Sequence, residues 1–224
     1  MLNLPSANDF AINPEPRAAC VLLLDRSGSM SGSAIDQLNE GIRLLCEELQ
    51  RDEIARNRVE LSIVSFGDSV TTDLDFQSIS TVSPPVLQAS GSTPMGPAIR
   101  LGIEAIANRK SVYKANGIKY FRPWLFLLTD GAPTDDEWQN QAVAVHNGVA
   151  SKQFEFFAVG VDGADLSVLR QIAPAERPPL QLHGLQFGPL FQWLSNSMAQ
   201  VSSGSPGSGG RSLPPIGGWG TVST

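Results

Sequence analysis

VLLLDRSGSMSG, residues 21–32, decides how the rest of the chain is read. An apolar run that begins at Ala18 ends on a carboxylate, Asp25, and hydroxyls follow at alternate positions, Ser27 and Ser29. A continuously apolar run of this length suits a central strand covered on both faces. The polar cluster at its end has three readings: the cap of a following helix, a catalytic nucleophile, or a set of ligands for a cation. Ser31 or Ser33 would serve as the N-cap. The choice depends on what other strands bring to the same place.

Apolar runs alternate with helical patterns from residue 18 to about residue 200. After the opening strand, Ile35, Leu38, Ile42, Leu45 and Leu49 recur at steps of three and four, the stripe of an amphipathic helix. VELSIVSF (59–66) reads as a second strand, GDS as a turn, and VTTDLDF (70–76) as a short antiparallel edge strand. SISTVSPPVLQASGST is a loop broken by Pro84 and Pro85, and a helix starts at Pro94. WLFLL (124–128) is a strand, and DDEWQNQAVAVHNGVASK a helix whose acidic first turn, with Asp135 and Asp136, suits the dipole. FEFFAVGV (154–161) is a strand, DLSVLRQIA a helix, PLQLHGL a strand and FGPLFQWLSNSMAQVS an amphipathic helix. This order predicts an α/β fold: a doubly wound, mostly parallel sheet with one antiparallel edge strand and helices on both faces.

Three regions follow from the pattern: an N-terminal extension (1–16), one domain (17–201), and a tail (202–224) rich in Gly, Ser and Pro that reads as flexible. Within that tail Trp219, in LPPIGGWG, is expected to lack a core to join, and reads either as part of a disordered segment without function or as a partner-binding residue in a short docking motif. Trp124 and Trp138 are expected to pack internally.

Composition excludes several classes. With 42% hydrophobic and 17% charged residues the chain is an ordinary globular protein. The net charge of −6, without any basic block, argues against nucleic acid as a partner. The two cysteines, Cys20 and Cys46, fall in apolar surroundings and read as buried thiols. A zinc site would need more soft ligands than these and the two histidines supply. The N-terminus lacks the pattern of a signal peptide, and no apolar stretch is long enough to span a bilayer. A cytoplasmic location is the expectation.

In open α/β sheets ligands sit at the carboxyl ends of the strands, where the strand order reverses. The first strand delivers Asp25, Ser27 and Ser29. ASGSTPMGPA presents Thr93 ahead of its helix, and WLFLLTDGAP delivers Thr129 and Asp130. Carboxylates and hydroxyls, with neither histidine nor thiolate, are the ligands of a hard divalent cation such as Mg²⁺. Two carboxylates neutralise the ion, and hydroxyls add coordination without charge, so it stays electrophilic toward an external carboxylate.

DRSGS (25–29), Thr93 in SGSTPMGPA and Asp130 in TDGAP resemble, in order, the three-part metal-ion-dependent adhesion site of von Willebrand factor type A domains. The resemblance covers about residues 17–200, and within the family the chain looks most like bacterial tellurium-resistance proteins of the TerY/YegL type. It implies a non-catalytic binding module in a stress-response or signalling complex. Asp25, Ser27, Ser29, Thr93 and Asp130 would hold Mg²⁺, with Mn²⁺ or Ca²⁺ as alternatives, and a partner's Asp or Glu would complete the octahedron. A Ser/Thr kinase and a PP2C-like phosphatase are the partners such a complex implies. Arg26, pointing sideways from the loop, is expected to touch the partner.

The rival is a metal-dependent hydrolase or phosphatase using the same loops. A haloacid-dehalogenase-type enzyme needs a second acid where this chain has Ser27, and a serine hydrolase needs Gly-x-Ser-x-Gly where GSMSG has Met30 in the centre. No phosphate loop is present. His146 falls in a helix and His183 on a late strand, so neither is placed as a general base.

Overall fold

The computed structural model describes residues 13–207 and 213–223. In chain order the elements are β1 (Ala18–Asp25), α1 (Ser33–Arg51), α2 (Ala55–Arg58), β2 (Val59–Phe66), β3 (Val70–Ser78), α3 (Met95–Ala115) and β4 (Trp124–Thr129). Then follow α4 (Trp138–Ala150), β5 (Glu155–Gly160), α5 (Leu166–Ile172), β6 (Leu180–Leu182), α6 (Phe187–Ser202) and β7 (Gly220–Val222). The strands form one sheet in the order β3-β2-β1-β4-β5-β6-β7, parallel except for β3 and β7 at its two edges.

The doubly wound α/β architecture is as the sequence predicts, with two corrections at the C-terminal end. There are two antiparallel edge strands, because β7 pairs with β6. Residues 213–223 therefore lie against the domain instead of forming a free tail, and Trp219 is 2% exposed. Composition concealed this: one indole and three paired residues suffice to seat a segment otherwise made of Gly, Pro and Ser. Residues 208–212 and 224 of the predicted tail, and residues 1–12 of the N-terminal extension, lie outside the described residues.

Every residue of β1 is buried, as a strand with layers on both faces requires. Cys20, Leu22 and Leu24 face the layer built from α1 and α6, where they meet Leu38, Leu45 and Phe191. Ala19, Val21 and Leu23 face the opposite layer, with Ile99, Ile106 and Val145 of α3 and α4. Each buried leucine or isoleucine contributes roughly 1.5–3 kcal/mol. The sheet order reverses at β1, whose neighbours are β2 and β4, so the carboxyl ends of β1 and β4 open a crevice.

Both thiols sit in this core. Burial raises the Cys20 thiol strongly, and burial first, then the charge of Glu47, pushes Cys46 up to about 12. Neither is a thiolate at neutral pH, so a disulfide-exchange reagent at pH 8 is expected to label both only as fast as the domain unfolds. Stopped labelling in native buffer and in urea checks this.

At the opposite end of the sheet from the crevice, Glu60 lies buried at the start of β2. Its carboxylate accepts from Arg17 Nε (3.1 Å), from Arg109 Nε (2.6 Å) and from the Tyr113 hydroxyl. Burial works against the charge of Arg109, and the Glu60 carboxylate outweighs it, holding the guanidinium charged. Among the described residues no helix is long and apolar enough to cross a membrane.

Candidate metal centre

Asp25 is the last residue of β1 and is fully buried. Its Oδ2 accepts from Thr129 Oγ1 at 2.5 Å, across the β1–β4 seam, and its Oδ1 accepts from the Ser27 backbone N–H at 2.8 Å. That second bond turns the chain sharply and presents Ser27 and Ser29 on one side. Their hydroxyls lie 3.0 Å apart, and both reach Asp130 Oδ1, Ser29 at 2.9 Å and Ser27 at 3.4 Å. Asp130 follows β4 directly and is 9% exposed. The helix-cap reading of the serines fails: α1 is capped at Gly32, which has φ +78°, and the Ser31 hydroxyl donates to the Gly28 carbonyl.

Thr93 arrives on the loop before α3. Its backbone is locked by neighbours: its N–H donates to Thr134 Oγ1 (3.1 Å), and its carbonyl accepts from Met95 (2.8 Å) and Thr134 (3.0 Å). Its side chain does not cap α3, whose N-cap is Pro94. The hydroxyl faces Gly131 instead, where an added Cβ would stand 3.3 Å from Thr93 Oγ1. The loop bearing Thr93 is pinned to α1 by Asn39, which both donates to the Leu87 carbonyl and accepts from its N–H. It is pinned to the first loop by Gly28 N–H donating to the Gly91 carbonyl at 3.0 Å. Gly91 itself adopts φ +76° against Asp68, where a side chain would collide.

The five sequence-predicted ligands thus gather at one crevice, Asp25, Ser27, Thr93 and Asp130 buried and Ser29 exposed at its mouth, supported by residues that are legible only in three dimensions. Thr134 and Asp135 are two of these: Asp135 accepts from Gly96 N–H as well as from Glu137 and Trp138, tying the starts of α3 and α4 together. Arg26 is the exception among predicted contacts. Its guanidinium donates to Ser65 Oγ (3.0 Å), Ser90 Oγ (2.8 Å) and the Gln88 carbonyl (3.4 Å), so it braces β2 and the Thr93 loop and does not project from the surface. Trp219, the other predicted contact, is buried against Trp193, far along the sheet order. Both corrections have one cause: a long polar or aromatic side chain in a loop sequence found partners contributed by distant segments.

The electrostatics fit a divalent cation. Two carboxylates are buried side by side, and no ion pair among the described residues reaches either of them. Burial pushes Asp25 above the usual carboxylate range, against the hydrogen bonds from Thr129 and Ser27, and the neighbouring Asp130 charge adds to the rise. An uncompensated pair of this kind, flanked by hydroxyl oxygens, suits a hard divalent cation. Among the described residues no group of three or more His, Cys, Asp or Glu is placed to hold a metal ion, so ligation in the crevice would need the hydroxyls beside the two carboxylates. Gly131→Ala is expected to push the Thr93 hydroxyl aside and weaken Mg²⁺ binding about 3- to 10-fold, read by calorimetric titration.

A sequence profile for the von Willebrand factor type A domain matches residues 20–182. No curated protein matches the chain. Among solved structures, the pilus adhesin SpaC of Lactobacillus rhamnosus GG is similar at 14% identity and a TM-score of 0.65, over 83% of this chain and 30% of that one. Proximal thread matrix protein 1 from the mussel byssus, solved with a zinc-occupied MIDAS motif, is similar at 17% identity and a TM-score of 0.53, over 83% of this chain and 48% of that one. BatB of Bacteroides thetaiotaomicron is similar at 15% identity and a TM-score of 0.54, over 84% of this chain and 100% of that one. This chain therefore spans less than half of the adhesin and of the byssus protein, and at these identities the likeness concerns the fold. With the profile covering the sheet from β1 to β6, the chain belongs to the von Willebrand factor type A domain family.

Proposed function

We propose that this chain is a non-catalytic, divalent-metal-dependent protein-interaction module. The observation that carries the reading is the pair of buried carboxylates, Asp25 and Asp130, sharing a crevice with the hydroxyls of Ser27, Ser29 and Thr93 and, among the described residues, in no ion pair. Asp25 and Asp130, directly or through water, and the three hydroxyls would hold Mg²⁺. The bound ion supplies an electrophilic position for a carboxylate brought by the partner, an Asp or Glu side chain. The zinc-occupied MIDAS motif of the byssus protein and the adhesin role in the name of SpaC support this direction.

An enzymatic reading lacks a general base. His146 Nε2 lies 3.3 Å from the Ala173 carbonyl and His183 Nδ1 lies 3.0 Å from the Gly218 carbonyl, and neither bonds to a residue of the crevice among the described contacts. The two serines that would be nucleophiles bond to each other and to a carboxylate. The narrower assignment, to a cytoplasmic TerY-like stress-response or signalling complex with a Ser/Thr kinase and a PP2C-like phosphatase, rests on the sequence resemblance alone.

Calorimetric titration with Mg²⁺ is expected to show one site per chain, and capture of partners from a lysate is expected in Mg²⁺ and not in EDTA. A chain that binds no divalent cation sinks the proposal. Phosphatase or esterase turnover that vanishes in Ser27→Ala would make it an enzyme.

A further inference from the structure

The C-terminal segment is held the way a bound peptide is held. It follows SGSPGSGGRS (203–212), which contains no aliphatic or aromatic side chain, and it reaches the core through Trp219, with Leu213 and Ile216 packed alongside. Gly220, Thr221 and Val222 pair with Leu182, Gln181 and Leu180, extending the sheet by one antiparallel strand. His183 N–H donates to the Trp219 carbonyl (2.9 Å), and Ser223 N–H donates to the Pro179 carbonyl (2.8 Å). The Trp193 indole N–H donates to the Pro214 carbonyl (2.9 Å), and the Trp219 ring sits 5.5 Å from that of Trp193. Main-chain pairing on a sheet edge plus one aromatic anchor is the arrangement of strand-addition peptide recognition.

The seat is imperfectly filled. A solvent-open groove of about 420 Å³ runs between Trp193, Phe157, Leu213 and Ile216, with the Arg177 guanidinium 4.3 Å above the Phe157 ring. Among the described residues the buried Trp219 Nε1 has no hydrogen-bond partner. An unpaired buried N–H weakens docking relative to a fully bonded core. When the segment leaves, β6 becomes an open edge beside an uncovered Trp193, a template for another strand.

We propose that the edge of β6 and the Trp193 groove form a peptide-docking site for an extended segment of the form LPPIGGWGTVS, and that its occupant in trans is residues 213–223 of a second copy of this chain. Each copy carries both the site and the ligand, joined by a stretch without aliphatic or aromatic side chains, so exchange replaces every contact by an identical one. A short linker of this composition gives an effective concentration on the order of millimolar. The segment therefore seats on its own chain in dilute solution and on a neighbour when copies are crowded.

Two full-length variants test the site. Trp219→Ala removes the anchor. Gly220→Val places a Cβ where it would lie 2.8 Å from the Gln181 carbonyl, blocking the pairing without touching the core. If the alanine variant fails to fold, the valine variant carries the test. A fluorescent synthetic peptide of residues 213–223 is expected to bind either variant at least about 10-fold more tightly than it binds the wild type, whose site is filled, and a peptide with alanine for tryptophan is expected not to bind. Variants that take up no peptide overturn the site. In a second arm, wild-type chain is refolded in EDTA at ~1 mM and at ~5 μM and examined by light scattering. Dimers are expected only at the higher concentration and not in Gly220→Val. A wild type that stays monomeric throughout, or a dimer that survives in Gly220→Val, overturns the second copy as occupant. EDTA keeps the outcome independent of the metal centre.

Discussion

Asp25→Asn is expected to lower Mg²⁺ affinity at least ~100-fold, about 2.7 kcal/mol, while leaving the domain folded. The asparagine keeps the shape of the site. Its Oδ1 can still accept from the Ser27 N–H, and its amide can donate to Thr129 Oγ1, whose hydroxyl rotates to accept. What is lost is one of the two negative charges that a divalent cation needs. In metal-free protein the substitution removes a carboxylate whose ionised form burial and Asp130 both disfavour, so the metal-free melting temperature is expected to hold or rise. In wild type, Mg²⁺ at about 100 times its dissociation constant should add about 2.7 kcal/mol, a shift of roughly 5–10 °C. That shift should vanish in Asp25→Asn. A wild-type-like Mg²⁺ shift in the variant would show that the cation is held elsewhere.

The second large effect lies at the other end of the sheet. Glu60→Ala is expected to cost about 3–5 kcal/mol, because it removes the carboxylate shared by two guanidiniums buried to 4% and 6% exposure. For a domain of this size that corresponds to a fall of about 10–15 °C in melting temperature. Arg100→Ala, which breaks only exposed pairs with Glu104 and Glu137, serves as the comparison and is expected to cost under about 1 kcal/mol. Urea titrations of both variants with the wild type measure the difference. Since Glu60 is remote from the crevice, Mg²⁺ affinity in folded Glu60→Ala should match wild type.

Glu60 also shows where reading a linear chain stops. In VELSIVSF it looks like an ordinary charged residue at a strand entrance, and its meaning comes from Arg17 and Arg109, which are brought to it across 43 and 49 residues. Arg26 is similar. In DRSGS it seems to project from the loop, yet Ser65 and Ser90 were waiting for it on β2 and on the Thr93 loop. The ligand set was legible because its chemistry is local at each strand end. Asp-x-Ser-x-Ser, a threonine before a helix and Thr-Asp-Gly after an apolar strand each announce themselves, and parallel topology brings strand ends together without further instruction.

Periodicity was therefore enough to establish the alternation of strands and helices, the antiparallel edge at β3 and the burial of both cysteines, and the strand-end motifs were enough to single out the five oxygen-bearing residues proposed as ligands. Apolar stripes and strand-end carboxylates are short-range features, and a chain carries them explicitly. The fate of the C-terminal segment, the bracing role of Arg26 and the buried Glu60 cluster depended on partners dozens of residues away. A Gly, Ser and Pro composition predicts freedom only while nothing offers the segment a seat. Here the open edge of β6 and the face of Trp193 offer one, and Trp219 fills it.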